Sequence, residues 1–451
     1  MVAIATSFFL KQGRLTAGVE GLPSLPTAEI PHPLAGLPAE AVEERAKSII
    51  DAVVAGLTQS PESGGKAKGG KVVVKPEPEF VRAGGNTGTQ ALRALNRLYR
   101  KKQWTDGFPV VPPTREAVDW MLTGTDRNPD EVIGLVPPLW GKATVRNIAV
   151  NAVMAGAEPA YLPVIITAVA TLTDEKFAAS ADGGVWGAAG MQATTGSVSP
   201  LLIVNGPVAK DLKIESGVGC FGRGHHANAT IGRALRLVMT NAGGAQPGVN
   251  DMKCHGSAQE FTYCVAEREE HPVYHLENNR WGPLNVERGF PAETSTVTVA
   301  AAYPPICVNE ISQDGFNILE PLVDSIVSVG LVPYALDWEY VIVLNQAHAQ
   351  RLADADWTKE SIRQYLYANA VLPWGKYQRQ YLSRSHPAWM TKTVEDTTSI
   401  HLVGSPASFI IIVAGGECQY SNVIRCSAGS VTQPIKLPGD WKEILKASAL
   451  D

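Results

Sequence analysis

The sequence has no apolar run near the roughly 20 residues that cross a bilayer. Its longest runs, among them Leu162 to Leu172 and Phe409 to Ala414, suit a protein core, so no membrane span is expected. Cysteine is scarce. The six, Cys220, Cys254, Cys264, Cys307, Cys418 and Cys426, are scattered through 451 residues, whereas a secreted disulfide scaffold packs them densely into a short chain. A reducing, cytoplasmic setting is expected. Charge of one sign is also missing, with 39 Lys and Arg against 44 Asp and Glu for a net of -5. No basic field draws the chain to nucleic acid or anionic lipid. Met1 to Leu10 has neither a basic region before its apolar stretch nor a small-residue cleavage site after it, so it reads as a buried strand and not as a signal peptide.

What is present is globular: 45% hydrophobic and 18% charged residues, in a chain long enough for two or three domains. The 42 glycines and 31 prolines predict many shaped loops. Met1 to Phe9 reads as a strand, a loop follows to Pro31-His32-Pro33, and apolar residues at helical spacing predict a helix over Ala39 to Leu57. Residues 60–80, opening on Ser-Pro-Glu-Ser-Gly-Gly, read as a linker between an amino-terminal part, 1–59, and a larger part, 81–451, which is expected to hold up to two subdomains. Helices are predicted at Thr89 to Tyr99, Arg115 to Leu122 capped by Thr114, Thr144 to Gly156 and Ala160 to Leu172, the last two forming a hairpin. A loop-rich stretch from Ser180 to Thr195 precedes a strand at Leu201 to Val204. Further strands are expected at Phe261 to Ala266, Thr296 to Ala302, Tyr340 to Leu344 and Ser408 to Val413, with helices at Ile231 to Asn241, Leu319 to Val329 and His348 to Ala368. Strands and helices mix without a clean βαβ rhythm, so the fold class is α/β or α+β: a partial Rossmann-like amino-terminal segment and a larger mixed α/β substrate domain.

The clearest chemical signal is the glycine-rich run Gly217 to Gly224 opening a helix near Asn228, where free backbone N–H groups and the helix dipole favour an anion. Arg223 adds a fork donor, and Asn228 and Thr230 add hydrogen bonds. The run is neither a P-loop nor a dinucleotide fingerprint, so nucleotide binding is not implied. Gln192, Thr194 and Thr195 place small polar groups before a buried strand, and Gly415 and Gly416 follow another. Glu267 and Glu269 would share one face of an extended segment, a pairing suited to acid and base roles, or else a solvated turn. His225 is a second proton carrier, or a loop residue bonded to a carbonyl, and Cys418 is a thiol candidate. An alternative transition-metal site would use Cys220, His225 and His255, with Cys254, His271 and His275 nearby in sequence, although no spacing matches a zinc motif. The sequence itself requires no cofactor.

Two stretches carry a resemblance. Asp106-Gly107-Phe108-Pro109-Val110-Val111-Pro112-Pro113-Thr114, Gln192-Ala193-Thr194-Thr195-Gly196, Asn228-Ala229-Thr230-Ile231-Gly232-Arg233-Ala234 and Ala414-Gly415-Gly416 resemble a large bacterial protein often encoded beside the UGSC-motif family of thiol or selenol proteins, over roughly residues 85 to 435. Met1-Val2-Ala3-Ile4-Ala5-Thr6, Pro31-His32-Pro33-Leu34-Ala35-Gly36-Leu37 and the helix from Glu40 to Leu57 resemble the carboxyl end of the UGSC family itself. That family is distantly similar to the selenoprotein subunits of glycine and proline reductases, in which a selenolate or thiolate attacks an activated substrate. The Sec-Gly-Ser-Cys or Cys-Gly-Ser-Cys motif of the family is not in this sequence. The resemblance therefore implies a partner subunit that supplies it, or an internal Met1 behind a UGA codon.

The expected function is a subunit or fragment of a reductase-like thiol or selenol enzyme acting on a small anionic substrate. In it Arg223, Asn228 and Thr195 bind, and Glu267 or His225 moves a proton. Alternatives are a metal-dependent lyase or hydrolase, and a noncatalytic partner subunit in a larger oligomer.

Overall fold

A computed structural model describes residues 1–19, 21–34, 37–58, 80–178, 187–276, 280–311, 314–328, 339–373, 397–448 and 450. They fall into two compact units, residues 1–101 and the described residues from Lys102 onward. Apart from Phe80, the expected linker lies outside the described residues, as does most of the loop expected before Ala188.

The first unit begins with β1 (Ala3–Thr6), α1 (Leu10–Val19) and β2 (Thr27–Ile30), followed by α2 (Ala39–Ser48), α3 (Ile50–Thr58) and α4 (Gly88–Lys102). β1 and β2 pair in parallel, Ala3 opposite Thr27, so this is a β-α-β unit of two strands. Four expectations are corrected here. The long first strand is only four residues, because helix begins at Leu10, and the expected loop holds β2. The strand is not buried: with only β2 beside it, Ile4 is 57% exposed. The single helix over Ala39 to Leu57 divides at Ile49, whose φ of -111 and ψ of 0 leave the helical region.

The second unit opens with α5 (Arg115–Leu122), the hairpin β3 (Val132–Val136) and β4 (Gly141–Thr144), then α6 (Val145–Ala155) and α7 (Leu162–Leu172). Thr114 and Thr144 cap α5 and α6, their side chains accepting from Ala117 N and Asn147 N, and Gly156 ends α6 at a φ of 82. Short helices α8 (Glu175–Ala178) and α9 (Ala188–Gln192) precede β5 (Ser199–Asn205), α10 (Pro207–Asp211), α11 (His226–Asn241), β6 (Cys264–Ala266) and α12 (Leu284–Glu287). Next come β7 (Thr296–Ala302), β8 (Ile306–Asn309), α13 (Gly315–Ser328), β9 (Tyr340–Leu344), α14 (Gln346–Asp354) and α15 (Lys359–Asn369). The chain closes with β10 (Val371–Pro373), β11 (Ser399–His401), β12 (Phe409–Val413), β13 (Tyr420–Arg425), β14 (Val431–Pro434) and α16 (Trp441–Ala447). The helix expected over His348 to Ala368 is two helices, because Thr358 and Ser361 form a capping box that starts α15 afresh.

Two four-stranded mixed sheets organise this unit, in the orders β14-β7-β5-β6 and β12-β9-β13-β8. Strands β5, β7, β9 and β12 are apolar throughout or nearly so and buried along their whole length, as strands covered on both faces must be. Alternation divides their side chains between two cores. Leu201, Ile203 and Ala300 of one sheet meet Val341, Ile410 and Ile424 of the other between the sheets. Ile342, Ile411 and Val423 face outward onto Leu319, Leu352 and Leu366 of α13, α14 and α15. Helices α7 and α11 cover the outer face of the first sheet. The result is four layers, helix, sheet, sheet, helix, and this places the carboxyl ends of the parallel pair β9 and β12 at one rim.

Candidate functional site

At that rim the chain turns from Leu344 into Asn345 and from Val413 into Ala414-Gly415. Asn345 caps α14 by accepting from His348 N at 2.9 Å. Gly415, at a φ of 105, donates its N–H to Ser216 O at 2.8 Å and accepts from Gln346 Nε2 at 2.8 Å. Between these turns and residues 268–272 lies a cleft of about 420 Å³, lined by Arg268, Glu270, His271, Gln346, Arg351 and Glu417 among others. Its position outside strand carboxyl ends, beside the first turn of a helix, is where open α/β sheets bind ligands.

Arg268 joins the cleft to the glycine-rich loop. Its backbone N–H donates to Val413 O at 2.8 Å, and its guanidinium stands 3.3 Å from Glu270 Oε1. A Cβ at Gly217 would lie 3.0 Å from Arg268 Nη1 and 2.9 Å from Glu215 Oε1, so the space of a side chain there is taken by these two groups. Arg268 Nε is buried and has no hydrogen-bond partner among the described residues. Beside it, His271 receives Val273 N–H on Nδ1 at 3.4 Å, which leaves the proton of the neutral ring on Nε2. Burial, and then the Arg268 guanidinium, push the His271 pKa down, against the pull of Glu417 and Glu270. The cleft thus offers a fork donor and an imidazole whose Nε2–H can donate a hydrogen bond.

Behind the wall is a sealed ionic network. Glu267 has a side chain with no exposure, and both its oxygens are engaged. Oε1 accepts the Tyr274 hydroxyl and faces Lys359 Nζ at 3.3 Å, while Oε2 accepts from Asn205 Nδ2 at 2.6 Å and Leu284 N at 2.7 Å. Glu269 also accepts from Asn205 Nδ2, at 2.8 Å, and burial raises its pKa. The two carboxylates do share a face. Glu267 is neither in a solvated turn nor open to a substrate, because Lys359 enters from α15 and closes the site.

In the first unit, β1 and β2 form a two-stranded sheet of their own, and Ile50, Val54 and Leu57 of α3 stand half-exposed or more. Residues 1–59 match the UGSC family. No curated protein and no solved structure matches the chain. The UGSC segment covers the β-α-β unit with α2 and α3, so the cleft belongs to the part of the chain beyond it.

Of the residues expected to act beyond the UGSC segment, the structure brings the glycine-rich loop and the Gly415-Gly416 turn together. Gly415 bonds to Ser216, and Gly416 faces Val218. Gln192, Thr194 and Thr195 are not part of this meeting. They precede Ser199, where Thr195 O accepts from Cys254 N, whereas Glu215 O bonds to Ala266 N at the far end of β5 and β6. The loops are separated by the length of the seven-residue strand, roughly 20 Å at about 3.3 Å per residue. Gln192 is buried and donates to Pro137 O. Thr194 Oγ1 accepts from Gly196 N.

The expected donor Asn228 is also corrected. Helix α11 starts at His226, which turns Asn228 inward, and its amide spans Glu215, Cys220 and Cys264 carbonyls at 2.9, 3.2 and 3.1 Å. Thr230 bonds back to His226 O in its own helix. Arg223 and Cys418 are exposed. His225 contacts Val218 O at 3.1 Å and Glu215 Oε2 at 3.6 Å, the carbonyl-bonded loop residue of the plainer reading. Cys220 is buried, its thiol pushed up to about 11 by desolvation, and Cys220, His225 and His255 form no ligand set. Among the described residues no three His, Cys, Asp or Glu side chains gather as a metal site. Arg268 and His271 are the gains of the structure. The arginine could have been found from strand parity, since it alternates with Glu267 and Glu269 and so points the other way.

Proposed function

We propose that the chain is a component of a thiol- or selenol-dependent reductase whose second unit holds a small anionic substrate in the cleft at the ends of β9 and β12. One observation carries the substrate half: Arg268, fixed through its backbone to β12, brings a partly exposed guanidinium to a cleft that His271 also lines. Arg268 binds the anion, helped by the N–H groups of Gln346 and Ala347 in the first turn of α14, His348 N being held by the Asn345 cap. His271 Nε2–H donates a hydrogen bond to the leaving or reduced group, and the two protons come from the thiol and selenol pair as it is oxidised. The UGSC match supports the redox half. In this reading a partner carrying the Sec/Cys-Gly-Ser-Cys motif supplies the nucleophile, and the two electrons given to the substrate convert that pair to a selenenyl sulfide or disulfide. Nothing among the described residues favours the metal-dependent alternative.

The test is anion binding by the full chain, followed by thermal denaturation and calorimetry with acetate and inorganic phosphate. Binding raises the melting temperature, and Arg268→Gln lowers affinity by about tenfold or more, the worth of a charge-assisted hydrogen bond. An Arg268→Gln protein that binds both anions as the unaltered chain does removes the cleft from the reading. Turnover that appears only when a UGSC-motif polypeptide is added supports the redox half, and turnover without any thiol or selenol overturns it.

A further inference from the structure

Arg268, Glu270 and His271 line one wall of the cleft, yet residues 268–271 lie outside any helix or strand, just ahead of the short 3-10 helix Pro272–His275. What fixes them is closure at both ends. At one end Glu267 accepts the hydroxyl of Tyr274, from the other end, so the segment between them is a closed loop. At the strand, Val413 is gripped twice, its C=O by Arg268 N at 2.8 Å and its N–H by the Tyr274 oxygen at 3.0 Å. Inside the loop, His271 N donates to Arg268 O at 3.0 Å and Tyr274 N to His271 O at 3.1 Å. Lys359 completes the closure, reaching Glu267 and donating to Gly282 O at 2.6 Å from a side chain only 1% exposed.

A buried ion pair is a poor way to gain stability, because two well-packed apolar side chains often do as well or better. Its best-attested use is to fix one arrangement among several. We propose that Glu267 is the positioning residue of the cleft: its carboxylate, closed on Tyr274, Asn205, the Leu284 amide and Lys359, holds Arg268 and His271 in the wall that faces the ligand. This inference rests on the cleft being the binding site proposed above. Glu267 touches no ligand in it and moves no proton.

Replacing the pair together, as Glu267→Met with Lys359→Met, tests positioning without leaving a lone charge buried. The probes are acetate and inorganic phosphate on the full chain labelled at its nine histidines, with the His271 ring signal assigned by its loss in His271→Gln. The double variant is expected to melt lower, because the Leu284 N–H and the Tyr274 hydroxyl lose their acceptor, while the chain stays folded at the temperature of the titration. Its His271 titration returns toward the ordinary value of about 6.5, and its anion affinity falls about tenfold. Tyr274→Phe, which removes one oxygen, moves both readouts the same way by less and serves if the double variant does not fold. Unchanged titration and unchanged affinity in whichever variant folds overturn the proposal. Failure of the cleft reading looks different: Arg268→Gln then leaves anion affinity intact, while the His271 titration still reports whether Glu267 holds the wall.

Discussion

The two units spend their apolar residues in opposite ways. In the UGSC segment Met1, Ile4, Phe8, Ile50, Val54 and Leu57 are 86, 57, 51, 52, 50 and 59% exposed, and α3 buries no residue. In the second unit four strands are buried end to end, and helices cover both outer faces. A parallel strand pair left at two strands has little independent stability and is ordinarily covered on both faces. The lesson is that apolar sequence does not by itself build a core. The second unit closes its layers from its own described elements, whereas the UGSC segment presents apolar surface that its described residues leave open.

This contrast can be broken at its strongest point first. Ile411 is fully buried between β12 and the helices of the outer layer, so Ile411→Ala is expected to cost about 2–5 kcal/mol in denaturant unfolding. A loss below about 1 kcal/mol would mean that the second unit is no better packed than the first. Next comes acid sensitivity. His348 lies in the second unit with Ser421 Oγ at Nδ1, 2.8 Å, and Glu310 O at Nε2, 2.9 Å. Burial lowers its pKa, the Glu310 carbonyl opposes this, and Arg351 adds to it. A folded pKa below the unfolded value of about 6.5 gives stability that is present above that pH and is lost as pH falls through the folded value. His271 acts with the same sign. His348→Gln should therefore flatten the fall in stability between neutral and mildly acid pH, and an unchanged slope would remove His348 from the account. The smallest effect belongs to the UGSC segment, where Ile4→Ser should change unfolding of the full chain by no more than about 0.5 kcal/mol. A larger loss would show that this face is covered.

What was legible in the sequence follows from how local its cause is. Thr114 was readable as a cap because the side chain acts within three residues. Strands β7 and β9 matched their expected limits because each is an apolar run of strand length with polar or turn residues beside it. β2 was missed because four residues between Pro26 and Pro31 carry too short a pattern. The division between α14 and α15 was missed because Ser361, in place of the usual Glu or Gln, completes the capping box. Glu267 could not be placed from sequence, since its burial depends on Lys359, 92 positions away. Arg268 was overlooked between two carboxylates, although parity alone would have set it on the opposite side.

Gly217 bears on how relatives of this chain will vary. A methyl group there is not forbidden, because the atoms it would meet, Arg268 Nη1 and Glu215 Oε1, end flexible side chains that can swing aside. What it would take away is the place where the guanidinium rests. Descendants that keep the arginine are thus under pressure to keep glycine at 217, and descendants that have lost the arginine are free to admit alanine or serine. Covariation of these two positions, more than invariance of either, would be the evolutionary mark of a working cleft.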